Sequence, residues 1–179
     1  GSVDANTQSN LWAQSAIDFD YNELRACFQF GCRGVAQRLA DKSHKWGILG
    51  LGALLPNTLT QGITGYAFSC PDMIGGGQMG DFLGKDKNNL DHELFIRYAQ
   101  ASCLMPMMQF SLDIWNISEQ IKNVCLKCID LHQKYSDYII QLVEHASITG
   151  EPIVRYMEYC FPNKSYGKIT SQFMLGDDI

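Results

Sequence analysis

An α/β fold with a parallel sheet is what this sequence predicts, on three observations. Short extended candidates alternate with longer helical patterns at roughly thirty-residue spacing, the rhythm of repeated βα units. The 179 residues are 46% apolar and 18% charged, enough to build the core of one domain. One apolar run, GYAFSC from Gly65 to Cys70, empties into Pro71, Asp72 and the glycines Gly75 to Gly77. A strand that delivers a carboxylate into a backbone-exposed loop is how α/β enzymes build a polar site at the carboxyl edge of a sheet. A closed eightfold barrel takes about 250 residues, and only about three or four such units are visible here. Pattern alone leaves two architectures: a small open α/β domain complete in itself, or the last third to half of a barrel.

Taken in order, residues 1–16 are polar without a period and are expected to form a tail or linker ahead of a domain spanning 17–179. Ala26 to Phe30 and Gly34 to Leu39 are the first extended candidates. Leu51 to Leu59 reads as a short helix in which Pro56 must sit in the first turn or make a kink, because proline removes a backbone donor. Asp91 is the expected N-cap of a helix whose face carries Leu94, Phe95, Tyr98 and Ala99 at the 3.6-residue period. Met107 to Ser111 is a further strand candidate. The longest helix is expected to begin at Asn116, with Glu119 three residues on, and to bury Ile121, Val124, Cys128, Leu131, Tyr135, Tyr138 and Leu142. Thr149-Gly150-Glu151-Pro152 should stop it, and Pro152 to Tyr159 and Ile169 to Leu175 return to an extended pattern.

The bulk properties remove several function classes. A formal charge of −5, with 14 scattered Lys and Arg, argues against a nucleic-acid partner, which needs concentrated basic residues. Charge, Gly or Pro interrupts every apolar run well short of the ~20 residues that span a bilayer. Seven cysteines are an odd number with irregular spacing, not a disulfide framework. Cys125 and Cys128 form a CxxC inside a helical pattern and read as core. The four histidines lack ligand spacing, so neither a metal nor another cofactor is expected. Asn116-Ile-Ser118 and Asn163-Lys-Ser165 fit the glycosylation acceptor pattern, which permits a secretory-lumen address without arguing for it.

The ordered segments WGILGLGALLPNTL, GYAFSCPDMIGGG, DHELFIRYAQ, MPMMQFSLDIW, TGEPIVRYMEY and ITSQFMLGDDI resemble the later part of the catalytic domain of glycoside hydrolase family 31, the retaining α-glycosidases. Within that family they look most like the branch of the myogenesis-regulating glycosidase. The resemblance implies a partial (β/α)8 barrel, about strands 5 or 6 to 8 with their helices, which this chain alone does not close. It further implies an α-linked hexoside substrate, an α-galactoside or an α-glucoside. A barrel fragment exposes unpaired strand edges and apolar surface, so the remainder of the barrel, or self-association, is the expected protein partner.

Retaining hydrolysis uses two carboxyl groups, one as nucleophile and one as acid and then base. In RLADKSHKWG, Asp41 lies three residues beyond Arg38, and Trp46 follows in the same loop. On the resemblance, Asp41 is the acid/base, Arg38 contacts a sugar hydroxyl or a carboxylate, and Trp46 walls the sugar pocket. The family's nucleophile lies in a Trp-x-Asp pattern that this chain lacks, so the chain by itself is expected to be inactive. Asp18 and Asp20 lack the context for that role and read as helix-start residues. The resemblance also assigns Asp72 a supporting role, although a turn-former after Pro71 would look the same. Gln109 stands near where many members carry a sugar-contacting histidine. Trp115 offers a stacking face beside a Leu112-Asp113-Ile114 stretch that departs from the family pattern. A non-catalytic protein that keeps the glycosidase scaffold is the competing expectation.

Overall fold

The computed structural model describes residues 3–17, 19, 22–25, 28, 35–83 and 90–179. Asp18, Asp20, Cys27, Cys32 and most of the 26–30 strand candidate lie outside them. The chain order is α1 (Ala5–Ile17), β1 (Glu23–Leu24), β2 (Ala36–Arg38), α2 (Leu51–Ile63), β3 (Ser69–Cys70), α3 (His92–Ser102), α4 (Glu119–Lys134), α5 (Ser136–Thr149), β4 (Val154–Arg155), α6 (Met157–Cys160) and β5 (Met174–Leu175). Strands β1, β2 and β3 form a parallel sheet in that order. An isolated parallel bridge, Ile74 to Phe110, continues it, so Met107 to Ser111 contributes one bridge and not a strand. The sheet is open among the described residues, and helices dominate the mass.

Several expectations are met and several are corrected. Asp91 caps α3, its side chain accepting from Leu94 N at 3.0 Å. Gly150 closes α5 in the left-handed region at φ 77°, where lack of a Cβ removes the steric cost. The polar segment expected to form a tail or linker carries a helix, α1, with Ala13 buried. Pro56 lies inside α2, past its first turn. The cap of α4 is not Asn116, which sits in a 3-10 turn at 114–116, but Ser118, whose hydroxyl accepts from Ile121 N at 3.2 Å. The single long helix is two, divided at Tyr135 (φ −103°, ψ 7°). The last two strands, within the segments expected to be extended, pair antiparallel, Val154 with Leu175 and Arg155 with Met174.

Two apolar clusters hold the chain together. The larger packs α2, α3 and α4 through Leu54, Leu59, Phe95, Tyr98, Met105 and Ile121. Complete burial of side chains of this size stabilises by about 1.5–3 kcal/mol each before entropy is counted. Cys125 and Cys128 belong to this cluster as free thiols, and burial pushes Cys125 up to about 11. His132 joins in through its ring, whose Nδ1 lies 3.0 Å from Cys103 O. The smaller cluster packs α5 on the antiparallel β4–β5 pair through Ala67, Ile139, Ala146, Ile153 and Leu175. Buried Arg155 pins that pair, donating to Pro152 O, Glu151 and Asp177. No helix among the described residues is long and apolar enough to cross a membrane.

Candidate functional site

Parallel register puts Glu23 beside Ala36 and Arg38 beside Cys70. Because side chains alternate along a strand, Glu23, Arg38 and Cys70 share one face of the sheet. On that face Arg38 is the hub, with 13% of its side chain exposed. Its Nη1 donates to Glu23 Oε1 at 3.0 Å and to Gln109 Oε1 at 3.1 Å. Its Nη2 donates to Asp72 Oδ1 at 3.1 Å and lies 3.6 Å from Asp41 Oδ1. Burial pulls the Arg38 guanidinium down, but the hydrogen bond and charge of Glu23, with the charge of Asp72, leave it above its ordinary value. It is a permanent cation. Burial, followed by the charge of Glu23, pushes the Cys70 thiol up to about 11, so it is neutral at physiological pH and a poor nucleophile.

Asp41 follows β2 in the loop that leaves the sheet edge. Its carboxylate is 29% exposed and accepts from Arg25, which stands just after β1. Asp72 is its buried counterpart. It accepts from Arg38, from Lys42 N at 2.6 Å and from Gly77 N at 3.0 Å. These bonds fix Asp72 at φ 149°, a backbone region that L residues rarely visit and that costs about 1–3 kcal/mol. Gly77 lies between the two carboxylates: a Cβ there would stand 2.5 Å from Asp72 Oδ1 and 2.7 Å from Asp41 Oδ1. Gly75 and Gly76 carry positive φ of 98° and 103°, so the glycine cluster is a requirement of the turn that brings Gly77 there.

The Lys42 ammonium is buried and donates to Ala40 O at 3.0 Å and Pro71 O at 3.2 Å, tying the loop after β2 to the loop after β3. His44 extends the same tie. Its backbone N–H donates to Asp81 at 2.8 Å, its Nδ1 meets Gly75 O at 2.8 Å, and its Nε2 accepts from Asp91 N at 3.2 Å. Arg25 and Arg38 therefore pair with the carboxylates Glu23, Asp41 and Asp72, and Lys42 joins them through its backbone N–H to Asp72 and the attraction of its ammonium to Asp72 and Asp41. Of the residues expected from the sequence, the structure gathers Asp41, Arg38, Asp72 and Gln109. Trp46 is turned elsewhere: its indole N–H donates to Asp91 Oδ2 at 2.8 Å, and its ring borders a groove of about 530 Å³ with Leu51, Leu55, Met105 and Phe173. Trp115 is 65% exposed in the 3-10 turn at 114–116, apart from the Arg38 hydrogen-bond network. Glu23, Arg25 and Lys42 were not anticipated. The alternation of charged and apolar residues at Glu23-Leu24-Arg25 is the one signal that marks a strand there.

Among the described residues no group of His, Cys, Asp and Glu is arranged to hold a metal ion. No protein-family model matches the chain. It is 31% identical over 166 residues to the myogenesis-regulating glycosidase of Mus musculus, across 90% of this chain and 23% of that protein. It therefore spans about a quarter of that relative's length. A GH31 α-xylosidase from a soil metagenome, complexed with xylose, superposes with a TM-score of 0.77 over 94% of this chain and 29% of that one, at 21% identity. The α subunit of glucosidase II superposes with a TM-score of 0.73 over 86% of this chain and 16% of that one, at 26% identity. Partial coverage of long proteins, with nearly complete coverage of this one, is the relation of a segment to a whole. The chain belongs to glycoside hydrolase family 31, whose members it matches over part of their length.

Proposed function

We propose that this segment carries the acid/base half of a retaining α-glycosidase site for α-linked hexosides, an α-galactoside or an α-glucoside. One observation carries the reading: Asp41 stands partly open at the edge of a buried network in which Arg38 joins it to Asp72. Asp41 acts as proton donor and then base, and Arg38, Asp72 and Gln109 bind sugar hydroxyls or hold the groups that do. Trp46, bonded to Asp91, and Trp115, apart from the Arg38 network, take no part in this site. The nucleophile comes from a segment outside these residues, as does the rest of the barrel. Relatives described as a glucosidase and a xylosidase support a pyranoside substrate. The test is hydrolysis of nitrophenyl α-galactoside and α-glucoside by the full-length protein and its Asp41→Asn variant. A fall of about 10²-fold or more is expected on losing a general acid/base, and undiminished turnover removes Asp41 from the role.

A second reading, a non-catalytic protein on the same scaffold, draws on a different observation. Arg38, Asp72, Glu23 and Gln109 hydrogen-bond to one another, which leaves little for a ligand to claim. Sugar binding without turnover in the same assay decides for it.

A further inference from the structure

We propose that Glu23 is a positioning residue which, coupled to Gln109, aims the Arg38 guanidinium at Asp41 and Asp72; this rests on the reading of Asp41 and Arg38 as the sugar site. Three hydrogen bonds close a ring. Glu23 Oε1 accepts from Arg38 Nη1 at 3.0 Å, Gln109 Oε1 accepts from the same nitrogen at 3.1 Å, and Gln109 Nε2 donates to the second oxygen of Glu23. Each Arg38 Nη therefore has its own partners: Nη1 is hydrogen-bonded to Glu23 and Gln109, and Nη2 is hydrogen-bonded to Asp72 with Asp41 as a looser ion-pair neighbour. Among the described residues the Arg38 Nε–H is buried without an acceptor, so no third bond there fixes the rotation of the fork. Loss of one pair releases it, and the reach toward Asp41, already 3.6 Å, is the first contact to lengthen.

The chemistry of the ring makes a sharp demand. It needs one carboxylate and one amide facing the guanidinium, with the amide N–H pointing at the carboxylate. Which position holds which group does not matter to the count of donors and acceptors. Glu23→Gln alone puts two amides together and removes the charge. Glu23→Gln combined with Gln109→Glu restores one of each. A role confined to packing would not distinguish these variants in this order.

The experiment labels the full-length protein with phenylglyoxal, an arginine reagent, and follows each arginine by peptide mass mapping. Arg155, buried in the C-terminal strand β4, serves as the internal reference for global loosening. In Glu23→Ala and Glu23→Gln, Arg38 should label about tenfold faster than in the wild type while Arg155 is unchanged, and the double exchange should restore protection. In parallel, kcat/KM on the nitrophenyl hexosides should fall about tenfold or more in the single variants, as misplacement of a substrate-orienting group does. The double exchange should recover most of it, and KM should move with kcat, since Arg38 acts in both binding and orientation. Unchanged labelling of Arg38 in Glu23→Ala overturns the proposal. So does faster labelling of Arg155 alongside it, or failure of the double exchange to protect. If the wild type hydrolyses neither glycoside, the glycosidase reading falls, and the labelling still decides whether Glu23 positions Arg38.

Discussion

Asp72 and Gly77 show how little freedom the site leaves its residues. Asp72 is strained in its backbone and tied by its side chain, and Gly77 is the close neighbour that lets both carboxylates approach. Gly77→Ala should cost about 1–3 kcal/mol through overpacking, read by urea denaturation, and should lower any hydrolytic activity with it. Gly80→Ala, where an added Cβ meets nothing within 4 Å, is the control and should leave both unchanged. Lys42 offers a test by pH. Burial lowers its ammonium below the ordinary lysine value, against the attraction of Asp72 and Asp41. Between the folded and the ordinary value the unfolded chain binds more protons than the folded one, so this group makes stability rise with pH across that window. Wild type should therefore gain on Lys42→Met as pH climbs toward the ordinary lysine value, in parallel urea titrations. A difference that stays flat would refute the desolvated charge.

At the level of elements, caps and apolar faces were legible and breaks were not. The sequence marks α3 because Asp91 precedes a clean 3.6-residue face, and the face is the one buried. Glu93 and Arg97 pair on its exposed side at 2.7 Å, worth only a few tenths of a kcal/mol. The stripe from Ile121 to Leu142 is also real, but it serves two cores: Ile121, Cys125 and Cys128 face one cluster, and Tyr138 and Leu142 the other. Tyr135 N bonds both Leu131 O and His132 O at 3.2 Å, and the chain turns there. Periodicity cannot report such a bend, because each half keeps its own period. The cap offers a direct check. Ser118→Ala should destabilise by about 1 kcal/mol, as loss of an N-cap hydroxyl does, whereas Asn116→Ala should change far less. Thermal denaturation of the two variants separates them.

Across the whole molecule, the open sheet and the exposed apolar side chains Leu11, Trp12, Ile48, Leu49 and Ile148 are consistent with a piece of a larger barrel. Exposed apolar surface of this kind promotes association. The isolated 179-residue polypeptide is therefore expected to self-associate with rising concentration in sedimentation velocity, and to lose that tendency when the full-length protein supplies the remaining strands. A concentration-independent monomer would count against the fragment reading.

The amino-acid sequence by itself determined the α/β rhythm, the helix faces, the Gly150 stop and the family, because each is written in local pattern or in the order of motifs. It also singled out Asp41, Arg38, Asp72 and Gln109, through that resemblance. Only the tertiary structure decided that Glu23, Arg25 and Lys42 join them, that Trp46 turns to Asp91, and that the final strands pair antiparallel. The physical reason is range. Periodicity and capping act over a few residues, whereas Glu23 and Gln109 meet across 86 positions of chain, a proximity set by register and packing alone.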